Sequence, residues 1–290
     1  MQRMVRVDAG TELWVEERGA PDGTPVLLVM GANASGITWP DELVDALGER
    51  HRVIRYDHRD TGRSTRAFDV RPYALRDLAT DAVRLLDGLG IARAHVVGMS
   101  MGGTLVQLLL LDHPDRLLSA TVFATSALGA GLADADGTGD ADLPGPDPRL
   151  LALWQTMGEP RDEAAELDWR VEHWRILNGD GVPFDAAEFR ALEERVIAHS
   201  GTAVSSTAHA LAEQSGLARG AELARVTVPT LVVEAPEDPV NPPPHARHLA
   251  AVIGGARLVP VPGMGHALSA AVLPSLVRAI GEHVDAVDAA

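Results

Sequence analysis

Short apolar runs separated by amphipathic helical periods constrain this chain more than any other feature. "PVLLVMG" (25–31), "HRVIRYDH" (51–58), "AHVVGM" (94–99), "SATVFAT" (119–125), "PTLVVEA" (229–235) and "ARLVPVPG" (256–263) are continuous apolar stretches of strand length. A strand covered on both faces reads this way, whereas "LWVEERG" (13–19) alternates like a strand with one wet face. Between them, Leu75, Leu78, Ala79, Ala82, Leu85, Leu86 and Leu89 recur with a helical period, and Gly90 is placed to stop the helix. Leu273, Leu276, Val277, Ile280 and Val284 give the last helix the same stripe. Strands alternating with helices of this length imply a mostly parallel sheet with helices on both faces, an α/β fold.

One region breaks the alternation. Residues 128–149, "LGAGLADADGTGDADLPGPDPR", are rich in Gly, Asp and Pro and read as a loop. Up to about residue 222 only helical patterns follow: Ala164, Leu167, Val171 and Trp174 keep a helical spacing, and "DAAE" at Asp185–Glu188 resembles a capping box. We read a core of residues 1–127 and 223–290 with a helical cap, 128–222, inserted after the sixth strand. Internal repeats are not seen. The acidic loop was weighed as a calcium site starting at Asp134, but Gly145 falls where the bidentate glutamate belongs, so a solvated loop is the better reading.

Composition removes several function classes. With no cysteine, thiol nucleophiles, Cys-ligated zinc and disulfides are excluded. The first residues lack a secretory apolar region, and the longest apolar stretch, Leu105–Leu111, is interrupted by Gln107 and far shorter than the ~20 residues of a span. A cytoplasmic protein is expected. The formal charge of −16 disfavours nucleic acid and anionic membranes as partners, and suits a small neutral or cationic ligand. Nothing in the residues sets an oligomeric state.

The chemistry centres on Gly98-Met99-Ser100-Met101-Gly102, which fits G-x-S-x-G between a buried strand and a helix. Such a turn lifts the serine hydroxyl above the carboxyl ends of the strands, where open α/β sheets bind ligands. The Met101 N–H, at the helix start, is placed to stabilise a negative oxygen there. The serine needs a base, and the base an orienting acid, in the chain order Ser, Asp or Glu, His. His266, in a Gly-flanked loop after the last strand, and Asp238, just beyond "TLVVEA", meet that order, with Glu237 as the rival acid. Gly31 opens the loop "VMGANASG", and the Ala32 N–H is the expected second oxyanion donor. His245 and His248 have an i, i+3 spacing with no third metal ligand, and His58 reads as structural. No metal or cofactor is called for.

At these residues the chain resembles the α/β-hydrolases. Besides the elbow it has "DHRDTGRS", close to D-x-R-G-x-G-x-S, and "HPDRL", while Met30 stands where His is usual and Asp60 where Gly is usual. "LLVMGANASGITWPDEL", "VIRYDHRDTGRST", "WRILNGDGVPFD" and "VPGMGHAL" are similar to the anthracycline methyl esterases. The resemblance implies an eight-stranded sheet, a triad at Ser100, Asp238 and His266, oxyanion amides at Met101 and Ala32, and hydrolysis of a carbomethoxy ester on an aromatic polyketide in antibiotic biosynthesis.

His266 would take the Ser100 proton during attack, return it to departing methanol, and repeat the cycle with water. Trp154, Trp169 and Trp174 offer walls for a flat substrate, although packing within the cap is the more ordinary role for any one of them. Three alternatives stay open. They are a general carboxylesterase or perhydrolase with the same triad, a serine-dependent carbon–carbon bond hydrolase, and a hydrolase-fold ligand receptor.

Overall fold

The computed structural model describes residues 1–130 and 143–290. The chain opens with an antiparallel pair, β1 (Gln2–Asp8) and β2 (Thr11–Gly19). It continues through β3 (Pro25–Val29), α1 (Asp41–Gly48), β4 (Arg52–Tyr56), α2 (Leu75–Gly88), β5 (Ala94–Met99), α3 (Met101–Asp112) and β6 (Leu117–Phe123). Helices α4 (Pro148–Trp154), α5 (Glu163–Asn178), α6 (Ala186–Ser200) and α7 (Ala208–Leu211) follow. The chain then closes with β7 (Thr230–Glu234), α8 (His245–Val252), β8 (Arg257–Pro260) and α9 (Leu273–Asp288).

The eight strands form one sheet in the order β1-β2-β4-β3-β5-β6-β7-β8, parallel from β4 to β8 and antiparallel at β1 and β2. From β3 the chain steps to one side for β4, then crosses to the other for β5. The carboxyl ends of β3 and β5 therefore border the crevice at a topological switch point.

Burial follows the apolar pattern. Leu75, Leu78, Ala79, Ala82, Leu85 and Leu86 of α2 pack with α3 on one face; Leu273, Leu276, Ile280 and Val284 of α9 pack with α1 on the other. At ~1.5–3 kcal/mol for each large aliphatic side chain buried, packing outweighs helix propensity in holding α9. Two strands depart from the pattern. In β1 only Val5 and Val7 are buried, so no apolar run announces it. The apolar run of β8 is not covered on both faces, because β8 is the sheet edge and pairs only with β7.

Asp162 caps α5 by accepting from the Ala165 N–H at 2.8 Å. Asp185 caps α6 through the Ala187 and Glu188 N–H groups. The Glu188 carboxylate does not complete a capping box: it accepts from the Ala270 N–H at 2.9 Å, in the loop before α9. Most of the segment weighed as a calcium loop from Asp134 lies outside the described residues. Among the described residues, no helix is long and apolar enough to cross a membrane.

Candidate active site

Ser100 is the single residue between β5 and α3, with φ 57° and ψ −125°. Such a backbone costs on the order of 1–3 kcal/mol in a residue with a Cβ and persists only where its surroundings impose it. Here the Ser100 N–H donates to the Phe123 carbonyl on β6 at 3.0 Å. Its own carbonyl accepts from the Gly103 and Thr104 N–H groups of α3 at 2.8 and 3.2 Å. The flanking glycines are required sterically: a Cβ on Gly102 would sit 2.0 Å from the Val29 carbonyl oxygen, and one on Gly98 2.4 Å from that of Gly102. Their absence lets α3 start against the end of β3.

Asp238 follows β7 and His266 follows β8. Both are buried, and His266 Nδ1 donates to the two Asp238 carboxylate oxygens at 2.9 and 3.0 Å. Burial alone would raise the Asp238 pKa, but His266 and the Val240 and Asn241 N–H groups outweigh it and hold the carboxyl below its ordinary value. An ionised carboxylate only accepts, so Nδ1 carries the imidazole proton and Nε2 keeps its lone pair. Glu237, the rival acid, is exposed and does not bond His266. The backbone of His266 hangs from the end of α5: its N–H and that of Ala267 donate to the Leu177 carbonyl at 2.7 and 3.2 Å. Gly265 permits that approach, since a Cβ there would lie 2.2 Å from the Asn178 carbonyl.

Ser100, His266 and Ala32 line one cavity of about 550 Å³, together with Trp154, Trp169 and Trp174. The three indoles are half-buried, and each N–H is committed: Trp154 to His173 Nε2 at 3.0 Å, Trp169 to Thr156 at 2.9 Å, Trp174 to Glu193 at 2.6 Å. Trp154 and Trp174 also pack on Leu150, Leu177 and Phe189. Among the described residues, no protein acceptor takes the Ala32 or Met101 N–H, which leaves both donors free for a substrate oxygen.

The loop after β3 is held by side chains. Asp57, fully buried, accepts from the Ser35 hydroxyl and the Gly36 N–H on one oxygen, and from the Arg63 N–H and His199 Nε2 on the other. Asn33 has φ 59° and donates its N–H to His209 Nδ1 at 2.8 Å. His58 donates Nε2 to the Met30 carbonyl at 3.0 Å; burial, then the nearby His209, pulls its pKa down to about 3, which fits the structural reading. Asp60 adopts φ 63°, a region where glycine is usual and aspartate is tolerated, and accepts from the Ala67 and Phe68 N–H groups.

His173, His199 and His209 were not singled out from the sequence. The i, i+4 pair Trp169 and His173 on α5 could have pointed to the first. The contacts of the others span 142 and 176 residues and leave no local trace. Burial, and secondarily His266, lowers the His173 pKa to about 4. His245 donates to the Pro144 carbonyl at 2.9 Å, and among the described residues no three His, Cys, Asp or Glu side chains are grouped to hold a metal.

An alpha/beta hydrolase fold family matches residues 24–270, and the chain belongs to the α/β-hydrolase family. Within that family it resembles the anthracycline methyl esterases. It is 47% identical to rhodomycin D methylesterase DauP of Streptomyces sp. (strain C5) and 47% identical to rhodomycin D methylesterase DnrP of Streptomyces peucetius, across 98% of this chain and 98% of each relative. Among solved structures, a hydrolase from Pseudomonas aeruginosa PA01 is similar with a TM-score of 0.70 and 26% identity over 98% of both chains. The 2-hydroxy-6-oxo-6-phenylhexa-2,4-dienoate hydrolase of Rhodococcus sp. strain RHA1 shares the fold with a TM-score of 0.75 at 19% identity over 98% of both chains.

Proposed function

We propose that this carboxylic ester hydrolase removes the methyl group from the carbomethoxy ester of an anthracycline-type aromatic polyketide, through acyl transfer by Ser100, His266 and Asp238. The observation that carries the reading is one cavity lined by an elbow serine, an Asp238-bound histidine and three indoles. Flat, fixed aromatic faces suit a fused-ring substrate laid between them. The likeness to two rhodomycin D methylesterases along nearly the whole chain supports the same substrate class.

The steps follow from the donors. Asp238 keeps the His266 proton on Nδ1, so Nε2 accepts the Ser100 proton as Oγ attacks the ester carbon. The oxygen that becomes negative lies with the Met101 and Ala32 N–H groups, each worth ~2.7–4 kcal/mol in the transition state. His266 Nε2 then protonates the departing methoxide to methanol. Water, deprotonated by the same nitrogen, cleaves the acyl-serine and frees the acid. Helices α4 to α7 act in this reading as a cap over the carboxyl ends of the strands, with α4 and α5 supplying the aromatic wall.

The test incubates the protein and Ser100→Ala with a carbomethoxy anthracycline and with p-nitrophenyl acetate, following products by mass spectrometry. Conversion of the anthracycline to a product lighter by one CH₂, lost in the variant, is the expected result. Hydrolysis of the acetate alone would retain the serine esterase and overturn the substrate.

A further inference from the structure

The oxyanion reading places a demand on the loop after β3 that the core does not meet alone. The far end of that loop, Ser35 and Gly36, is tied to Asp57 within the core. The near end, at Asn33, is tied to α7, the last α-helix of the inserted segment. Asn33 and His209 bond reciprocally: the Asn33 N–H donates to His209 Nδ1 at 2.8 Å, and the His209 N–H donates to Asn33 Oδ1 at 3.2 Å. The remaining ring nitrogen, Nε2, donates to the Arg59 carbonyl at 2.9 Å. Both ring nitrogens are therefore committed in one tautomer, with Nδ1 as acceptor and Nε2 as donor.

We propose that His209 is a positioning residue for the esterase reaction: by accepting the Asn33 N–H it fixes the plane of the Ala32–Asn33 peptide, and through that plane the direction of the Ala32 N–H. The inference rests on Ala32 being an oxyanion donor. Its physical basis is that Asn33 sits at φ 59°, a region that asparagine tolerates but does not prefer, so the reciprocal contacts with His209 select this backbone over the extended one. Rotation of the peptide on either side would turn the preceding amide away from the substrate oxygen. His209 is 2% exposed, so water does not compete for the contact.

The ring is kept in the required state by its surroundings. Burial lowers its pKa to about 4, against the opposing pull of the Arg59 carbonyl contact and Asp60. The other groups facing it are the His58 ring, at 5.6 Å between centroids, and the Tyr73 ring, at 6.4 Å, with the Arg59 guanidinium over the Tyr73 ring at 5.4 Å. A proton added to Nδ1 would meet the Asn33 N–H donor to donor.

Asparagine and glutamine separate the two ring contacts. In His209→Asn the side-chain oxygen can take the place of Nδ1 and accept from Asn33, while the Arg59 contact is lost. In His209→Gln the amide reaches the position of Nε2 and can donate to Arg59, while Asn33 loses its acceptor. The readouts are kcat and KM for the ester turned over, and the rate at which a fluorophosphonate labels Ser100, which also uses the oxyanion donors. His209→Asn should stay within about 3-fold of wild type, a hydrogen bond to a neutral group being a modest net term. His209→Gln and His209→Leu should lose on the order of 10- to 100-fold in kcat and labelling rate with KM little changed, less than outright loss of a donor. Wild-type kcat in His209→Gln, or an Asn variant as impaired as the Leu variant, would overturn the proposal. Histidine ¹⁵N spectra of the wild type read the contact without substitution: protonated Nε2 with bare Nδ1 on His209 supports the clamp, and the reverse tautomer overturns it. A Ser100→Ala variant as active as wild type would instead break the underlying serine reading, whatever the His209 variants do.

Discussion

The turns that end β3 and β5 face each other across the site and are held by opposite means. The β5 turn is held by backbone and by space: Gly98 and Gly102 let main chains touch, and Ser100 is gripped through its own N–H and carbonyl. The β3 turn is held by side chains, Asp57 and His209, with His199 behind Asp57. Steric and main-chain restraints do not titrate. The polar ones depend on each group keeping its protonation state, so the two halves of one site should respond differently to acid and to substitution.

The largest expected difference is with pH. The folded-state pKa values of His58 and His209, which hold the β3 turn, lie at about 3 and 4, below the ordinary value of 6.5. The unfolded chain then binds protons that the folded rings refuse. Stability is full above about pH 6.5 and falls through the window between 6.5 and 4. At ~1.4 kcal/mol per pH unit per ring, each contributes a loss of about 2 kcal/mol at pH 5. Urea midpoints at pH 7 and pH 5 measure it, and equal midpoints would break the contrast between the turns. Next comes Gly102→Ala, where a methyl at 2.0 Å from a carbonyl oxygen should cost about 3 kcal/mol or more and lower the melting temperature at every pH alike. An unchanged melting temperature would remove sterics as the elbow's restraint. Asp57→Asn leaves Arg63 or His199 facing a donor and should cost about 2 kcal/mol, with a fall in kcat from the loosened loop. Stability equal to wild type would mean that the loop is held elsewhere. The smallest effect runs the other way. Ser100→Gly should abolish hydrolysis yet stabilise the fold by about 1 kcal/mol, because glycine takes φ 57° without strain.

The same contrast decides what could be read from the chain. The elbow is legible because the residue types it requires, Gly98, Ser100 and Gly102, lie within a few positions even though Val29 and Phe123, which they approach, do not; the stripes of α2 and α9 are legible because burial repeats with the helix. Asp238 and His266 were placed by chain order and by strand ends, and the structure pairs them at 2.9 Å. The polar fastening of the β3 loop was not legible, since no period or motif links Asn33 to His209 or Asp57 to His199. The exposure of β8 escaped for a related reason: a strand's place in the sheet is a property of topology, not of its own residues. In α6 the local signal was half right, as Asp185 caps the helix while Glu188 reaches a distant amide.

The Leu177 carbonyl, which receives the N–H groups of His266 and Ala267, gives the helical segment a place in the molecule's history as well as in its chemistry. A segment that merely roofed the pocket could be traded between enzymes like an interchangeable part, altering selectivity and sparing the machinery beneath. Here the shelf from which the histidine loop hangs belongs to that segment, and Glu188 fastens the same loop a few residues on. Exchanging α5 for a helix of another length would move the His266 backbone. A transplanted segment must therefore bring its own matching histidine loop.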